Sequence, residues 1–178
     1  LYFGYMRGAL TCEELKEADA YAEIFGIELR PFIQTLAHLN QIVRYEEYQK
    51  IIDTDDILLA EDPRTKTLLE HLIRTVSKNF SSKKINIGMD EAHMVGLGKY
   101  LDQHGYRNRQ EIMQRHLEMV LSICKQYGFT VQMWSDMFFR LAFHGAYYEN
   151  DVEKLRGIHI PQEVEIGYWD YYSTDEAH

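Results

Sequence analysis

Near the middle of the chain, Lys84 to His93 read KINIGMDEAH, an apolar run that ends on two adjacent carboxylates, Asp90 and Glu91. Along an extended strand side chains alternate, so Asn86, Gly88 and Asp90 point to one side and Ile85, Ile87 and Met89 to the other. Glu91 then falls at the turn out of the strand, where it can reach over the mouth of a sheet or barrel. An acidic pair in which one member is kept neutral can cleave a glycosidic bond, because desolvation and neighbouring negative charge favour the protonated acid. The plainer alternative is that the pair begins the next segment as helix N-terminal acids, which favourable charge–dipole interaction explains equally well.

Other chemistries are less well supported by spacing. D-E-A-H also resembles the Mg²⁺ box of helicase-type ATPases, but the G-x-x-x-x-G-K-[ST] loop that cradles phosphate is absent, and Gly96 and Gly98 lack its spacing. The same four letters recur at 175–178 in another setting. His93, His104 and His116 show no i,i+4 pairing of a zinc helix and read as surface or packing histidines. Cys12 and Cys124 form neither a disulfide framework nor a metal spacing and read as small core residues of helical stripes. No metal and no cofactor is expected.

Three helices are needed to position such a strand, and their caps are visible. Thr11 and Glu14 form a capping box ahead of Leu15, Ala18, Tyr21, Ala22 and Phe25, with Gly26 as the stop. Asp62 and Pro63 open a stripe of Leu68, Leu69, Leu72, Ile73, Val76 and Phe80. Asn108 and Glu111 open a third, with Ile112, Met113, Leu117, Val120, Leu121 and Cys124, closed at Gly128. Runs with strand character follow at 27–37, 84–91 and 129–137, and a fourth lies at 164–172. Segment 41–62 reads as a long loop with a short helix.

Helices alternating with strands at this spacing imply an α/β fold with a parallel sheet joined by right-handed crossovers. Four such units are half of a (β/α)8 barrel, or a small open sheet. Either fold places its site at the carboxyl ends of the strands. There stand Gln34 and His38, Asp90 and Glu91, Trp134 and Asp136, Tyr168 and Asp170, and period-2 alternation sends Asp90, Trp134, Tyr168 and Asp170 to one face.

Composition sets wider bounds. A chain of 178 residues, 46% hydrophobic and 26% charged, is one globular domain. A net charge of −9 repels a phosphate backbone, so nucleic acid is not an expected partner. Aromatic residues make up 13% of the chain, which suits sugars and an ordinary core alike. No apolar run is long enough to span a membrane, and LYFGYMRG is no signal sequence. The expectation is a cytoplasmic protein, although a segment could have been cut away ahead of Leu1.

Taken in order, the strand ends resemble family 20 glycoside hydrolases, the β-N-acetylhexosaminidases. The family motif [H/N]-x-G-x-D-E is matched by Asn86-Ile87-Gly88-Met89-Asp90-Glu91. Its Gly-His-x-Asn element is matched by Ala37-His38-Leu39-Asn40, its Trp with acidic follower by Trp134-Ser135-Asp136, and its Tyr-x-Asp by Tyr168-Trp169-Asp170. Ala37 and Ser135 depart from the pattern.

The resemblance implies residues 1–178 as a partial (β/α)8 barrel, roughly strands three to six of eight. It also implies a retaining, substrate-assisted mechanism. Glu91 would be the acid and base, and Asp90 the orienter of the 2-acetamido group. Tyr168 would bond the acetamido oxygen, Trp134 would wall its pocket, Asp136 and Asp170 would join the substrate-binding set, and His38 would lie behind Glu91. The implied partner is a carbohydrate with a terminal N-acetylhexosamine. Half a barrel exposes two sheet edges, so a homo-oligomer is also expected. The alternative is a non-catalytic half-barrel that self-associates and binds sugar weakly or not at all.

Overall fold

The computed structural model describes residues 4–147 and 152–171. The three capped helices form where their signals lie: α1 at Cys12–Ile24, α4 at Pro63–Asn79 and α6 at Arg109–Gln126. Thr11 Oγ1 accepts the Glu14 N–H and Glu14 Oε2 accepts the Thr11 N–H, so both halves of the capping box are made. Asp62 and Asn108 cap the other two by accepting from the N–H of Arg64 and Gln110. Helices α4 and α6 pack side by side, burying Leu69, Ile73 and Val76 from one and Ile112, Leu117, Val120 and Cys124 from the other.

Helix α1 behaves differently from its pattern. Ala22 is buried, but Tyr21 and Phe25 are largely exposed, and Cys12 is exposed rather than core. Beside Ala22 it buries Asp19, which accepts the Ser81 N–H at 2.8 Å. An apolar stripe of five residues does not specify a buried face when one of its flanks has a hydrogen-bond partner to reach.

The sheet is parallel. Strands β3 (Lys84–Asn86), β4 (Thr130–Trp134) and β5 (Val164–Gly167) lie in that order. The segment at 31–35 lies parallel along the other side of β3, through a single bridge between Phe32 and Asn86 and the bonds Asn86 N–H to Pro31 O and Ile33 N–H to Asn86 O. Pro31 has no N–H, so this run is less regular than a full strand. Ile85, Ile87, Val131 and Met133 face the helices and are buried. Register sends Phe32, Asn86, Gln132, Trp134 and Glu165 to the opposite face, where Asn86 Nδ2 donates to Gln132 Oε1 at 3.2 Å.

Every strand is shorter than its apolar run. β4 stops at Trp134 because the chain turns into α7 (Asp136–Ala142). β5 stops at Gly167, and Tyr172, the last residue of the run expected there, lies outside the described residues. Segment 41–62 is more ordered than a loop. It holds one-turn helices α2 (Asn40–Val43) and α3 (Glu46–Gln49), then an antiparallel hairpin of β1 (Ile52–Thr54) and β2 (Ile57–Leu58). Short helices α5 (Lys99–His104) and α8 (Val152–Leu155) complete the order.

Candidate active site

The polar site begins where β3 gives out. Gly88, Met89 and Glu91 have φ of 67°, 68° and 53°, and His38 on the neighbouring segment has 59°. Left-handed backbone is open to glycine but costs other residues on the order of 1–3 kcal/mol. Gly88 is required twice over, because a Cβ there would stand 2.1 Å from Gln34 Oε1. That close approach lets Gln34 work in two directions. Its Oε1 accepts the Met89 N–H at 3.2 Å and its Nε2 donates to Asp90 Oδ1 at 2.7 Å. Sequence reasoning noted Gln34 at a strand end but assigned it no role.

The two carboxylates meet a shared histidine. His38 Nε2 is 3.2 Å from Asp90 Oδ2 and 3.4 Å from Glu91 Oε2. The Asp90 side chain is 16% exposed and that of Glu91 42%, so the pair is graded from sheltered to open. A sheltered carboxylate fixed by Gln34 suits holding a polar group of a ligand. An open one on a turn suits proton exchange with whatever enters.

Asp136 is not where a ligand could find it. The expectation that it binds substrate is corrected: its side chain has no exposed surface, and its Oδ2 accepts the Glu91 N–H at 3.0 Å. Arg140 Nε lies 3.6 Å from the same oxygen. Burial raises the Asp136 pKa above the usual carboxylate value, and the Asp90 charge adds to the rise; the Glu91 N–H and Arg140 oppose it. The Trp169 indole also opposes it, yet Asp136 Oδ1 and Trp169 Nε1 complete no hydrogen bond with good geometry.

Trp134 lies on the open face with Asn86, near Phe32 at 6.4 Å between ring centroids and against Gly167, where a Cβ would come within 2.9 Å of its ring. Tyr168 and Asp170 do not follow by alternation. The register pairs Trp134 with Gly167, so Tyr168 has the opposite parity and the strand ends before it. Tyr168 instead donates to Asp170 Oδ2 at 3.4 Å and packs on Tyr147 at 5.6 Å. Buried Tyr147, which shares a 2.7 Å hydrogen bond with Ser135 Oγ, had no sequence signal.

The rim beyond Glu91 is tied down from the hairpin. Buried Asp53 accepts the N–H of Gly96 at 2.6 Å and of Tyr100 at 2.8 Å, and the Asp53 carbonyl leaves no room for a side chain at Gly98. His116 is a packing residue with no exposure, while His93 and His104 are exposed. Burial pushes the Cys124 thiol up to about 12, which makes it inert. Among the described residues, no three His, Cys, Asp or Glu are grouped to hold a metal ion, and no helix is long and apolar enough to cross a membrane.

A parallel sheet, helices on one face and acids gathered at the carboxyl edge define an α/β protein of the kind that builds enzyme sites on strand ends. The chain belongs to glycosyl hydrolase family 20, whose catalytic-domain model matches residues 4–177. It is 24% identical to hexosaminidase D of Bos taurus over 99% of this chain and 53% of that protein. Among solved structures it is similar to the family 20 β-N-acetylhexosaminidase of Streptomyces coelicolor, at 18% identity and a TM-score of 0.63 over 94% of this chain and 30% of that one. The chitobiase of Flavobacterium johnsoniae is also similar, at 18% identity and a TM-score of 0.63, over 91% of this chain and 24% of the other. A third is the Vibrio harveyi exo β-N-acetylglucosaminidase in complex with N-acetylglucosamine, at 15% identity and a TM-score of 0.62, over 90% and 25%. The chain thus spans about half the length of its curated relative and a quarter to a third of these structures.

Proposed function

We propose that this chain carries the catalytic carboxylates of a β-N-acetylhexosaminidase and forms roughly strands three to six of its (β/α)8 barrel. The observation that supports this best is the grouping of Asp90 and Glu91 around His38 at the end of β3, with Gln34 fixing Asp90.

In this reading the substrate is a glycan with a terminal β-linked N-acetylhexosamine. Glu91 in its acid form gives a proton to the glycosidic oxygen. The acetamido carbonyl oxygen attacks the anomeric carbon as the bond to the leaving oxygen breaks, forming an oxazolinium ion. Asp90 accepts the acetamido N–H and offsets the positive charge that develops. Glu91, now a carboxylate, takes a proton from water, whose oxygen attacks the anomeric carbon and reopens the ring. The protein thus uses a group of the substrate as nucleophile, which sets this family apart from glycosidases with two enzyme carboxylates in line. Trp134 walls the acetamido pocket, Tyr168 hydrogen-bonds the acetamido oxygen, and Asp170 binds a sugar hydroxyl. His38 Nε2 contacts both carboxylates and holds them side by side. The experiment is hydrolysis of an aryl N-acetyl-β-glucosaminide by this polypeptide, with slow release of the phenol expected and its absence favouring the non-catalytic alternative.

A second reading has its own observation. Phe32 is 47% exposed and Ile166 36%, on the two outermost members of the sheet. Among the described residues no further strand pairs outside them. A half-barrel with such flanks would self-associate and bind sugar weakly or not at all. Sedimentation at tens of micromolar distinguishes the two: a homo-oligomer without hydrolysis favours this alternative, and a monomer removes it.

A further inference from the structure

Asp136 stands two residues beyond the end of β4, as the first residue of α7, with its carboxylate wholly enclosed. A sealed acid is costly unless its partners compensate it. Its partners here lead in two directions. On one side is the backbone N–H of Glu91 at 3.0 Å. On the other is Arg140, 3.6 Å from the same oxygen. Arg140 is itself held, since it donates to the Gly145 carbonyl at 3.1 Å, and its guanidinium lies over the rings of Tyr147 at 5.3 Å and Trp169 at 5.9 Å.

Glu91 needs such an anchor. With φ at 53° it occupies backbone space that a residue with a side chain adopts only when its surroundings impose it. Rotating this one residue back to ordinary backbone would swing its carboxyl away from His38.

We propose that Asp136 is the positioning residue for Glu91, its enclosed carboxylate bracing the acid's backbone against the Arg140–Tyr147–Trp169 cluster so that the Glu91 carboxyl stays over the strand ends. This rests on the reading of Glu91 as the acid. It also ties the acid's aim to the segment that carries Tyr168 and Asp170, because Trp169 lies between those two in the chain and under the same guanidinium.

The test compares this chain with its Asp136→Ala and Asp136→Asn variants. Exchange of the Glu91 amide is followed by NMR, with amides of α4 and α6 as the measure of an intact fold. In Asp136→Ala the Glu91 amide should exchange on the order of tenfold faster, the equivalent of one hydrogen bond. Asp136→Asn keeps an oxygen in place and should retain most of the protection. On an aryl N-acetyl-β-glucosaminide, Asp136→Ala should lower kcat on the order of 100-fold, as misplaced catalytic groups do, with KM little changed. Asp136→Asn should recover most of that loss. Unchanged Glu91 exchange in a folded Asp136→Ala chain overturns the proposal, as does a raised KM with kcat intact, which would mark a substrate ligand. If the wild-type chain hydrolyses nothing, the proposed activity has failed, and the amide exchange alone still decides whether Asp136 holds Glu91.

Discussion

His116 Nε2 lies 2.8 Å from the main-chain oxygen of Thr35, joining the middle of α6 to the segment that carries Gln34 and leads into His38 by a contact 81 residues apart in sequence. A carbonyl can only accept, so Nε2 carries the proton. Nδ1 is buried without a hydrogen-bond partner, and the imidazole is neutral. Burial pushes its pKa down to about 4 from 6.5, against small opposing effects of the Thr35 carbonyl and Glu61.

Acid should therefore weaken the protein through His116. Below pH 6.5 the unfolded chain takes up a proton that the folded chain refuses until about pH 4. Stability from this residue is present above 6.5 and lost as pH falls through that window. At about 1.4 kcal/mol per pKa unit the loss is about 3–4 kcal/mol. Urea denaturation of wild type and His116→Gln at pH 7, 5.5 and 4 isolates it. The gap between the two proteins should narrow or reverse on acidification. A gap constant over that range would mean the histidine is protonated in the folded state.

Asp136 should show the opposite dependence. Its pKa is raised by burial first and the Asp90 charge next, against the Glu91 N–H, Arg140 and Trp169. The stability this group contributes is present below 3.8, where both states are protonated, and is lost as pH rises through its folded value. Asp136→Asn mimics the neutral form at every pH. It should melt above wild type at pH 7, with the advantage fading as pH approaches 4. A variant that melts lower at pH 7 would show that the ion pair with Arg140 outweighs burial.

Gly88→Ala should damage the fold and the site together. The new Cβ meets left-handed backbone and Gln34 Oε1 at once. A cost of about 1–3 kcal/mol is expected from the backbone alone, and Gln34 must leave Asp90 to make room. Combining Gly88→Ala with Gln34→Ala should recover part of the stability, since the clash is then gone. No recovery would place the whole cost in the backbone.

Glu91→Gln tests the acid role by leaving group. A poor alkoxide leaving group needs the proton and an activated aryl one barely does. Hydrolysis of an unactivated glycan should fall far more than that of a nitrophenyl substrate. Equal losses for both would argue for a binding role instead.

How much of this was legible depends on which contacts carry it. The helices α4 and α6 were visible because their caps and stripes are local and their apolar faces meet one continuous core. The parallel order was visible because alternation of helix and strand leaves few topologies. The parity of Asn86 and Trp134 also held, since the sheet runs regularly between them. The same rule failed at Tyr168, where the strand had already ended. Asp136 looked like a site residue because polar groups at strand ends are usually open to solvent. Its carboxylate is instead enclosed beside the Glu91 N–H and Arg140, on a helix that packs against α6, and no residue spacing announces that. The β1–β2 hairpin was lost within a polar stretch because its burial of Ile52, Ile57 and Leu58 depends on neighbours far along the chain.

Asp53, on that hairpin, ties down Gly96 and Tyr100 across 43 and 47 residues, Gln34 reaches Asp90 across 56, and Asp136 reaches Glu91 across 45. Each such contact closes a long loop, and the entropy of closure is spent before the contact rewards it. Helices α4 and α6 form from near neighbours and have no such wait. Folding should thus run from the helical layer toward the carboxyl edge, with the acid aimed last. Pulse-labelled hydrogen exchange would register that order as protection of Glu91, Gly96 and Tyr100 after Leu69, Ile73 and Leu117; simultaneous protection would mean a single cooperative step. A mutation far from the carboxylates, on the hairpin, would then slow the arrival of a working site without altering any group that touches a sugar.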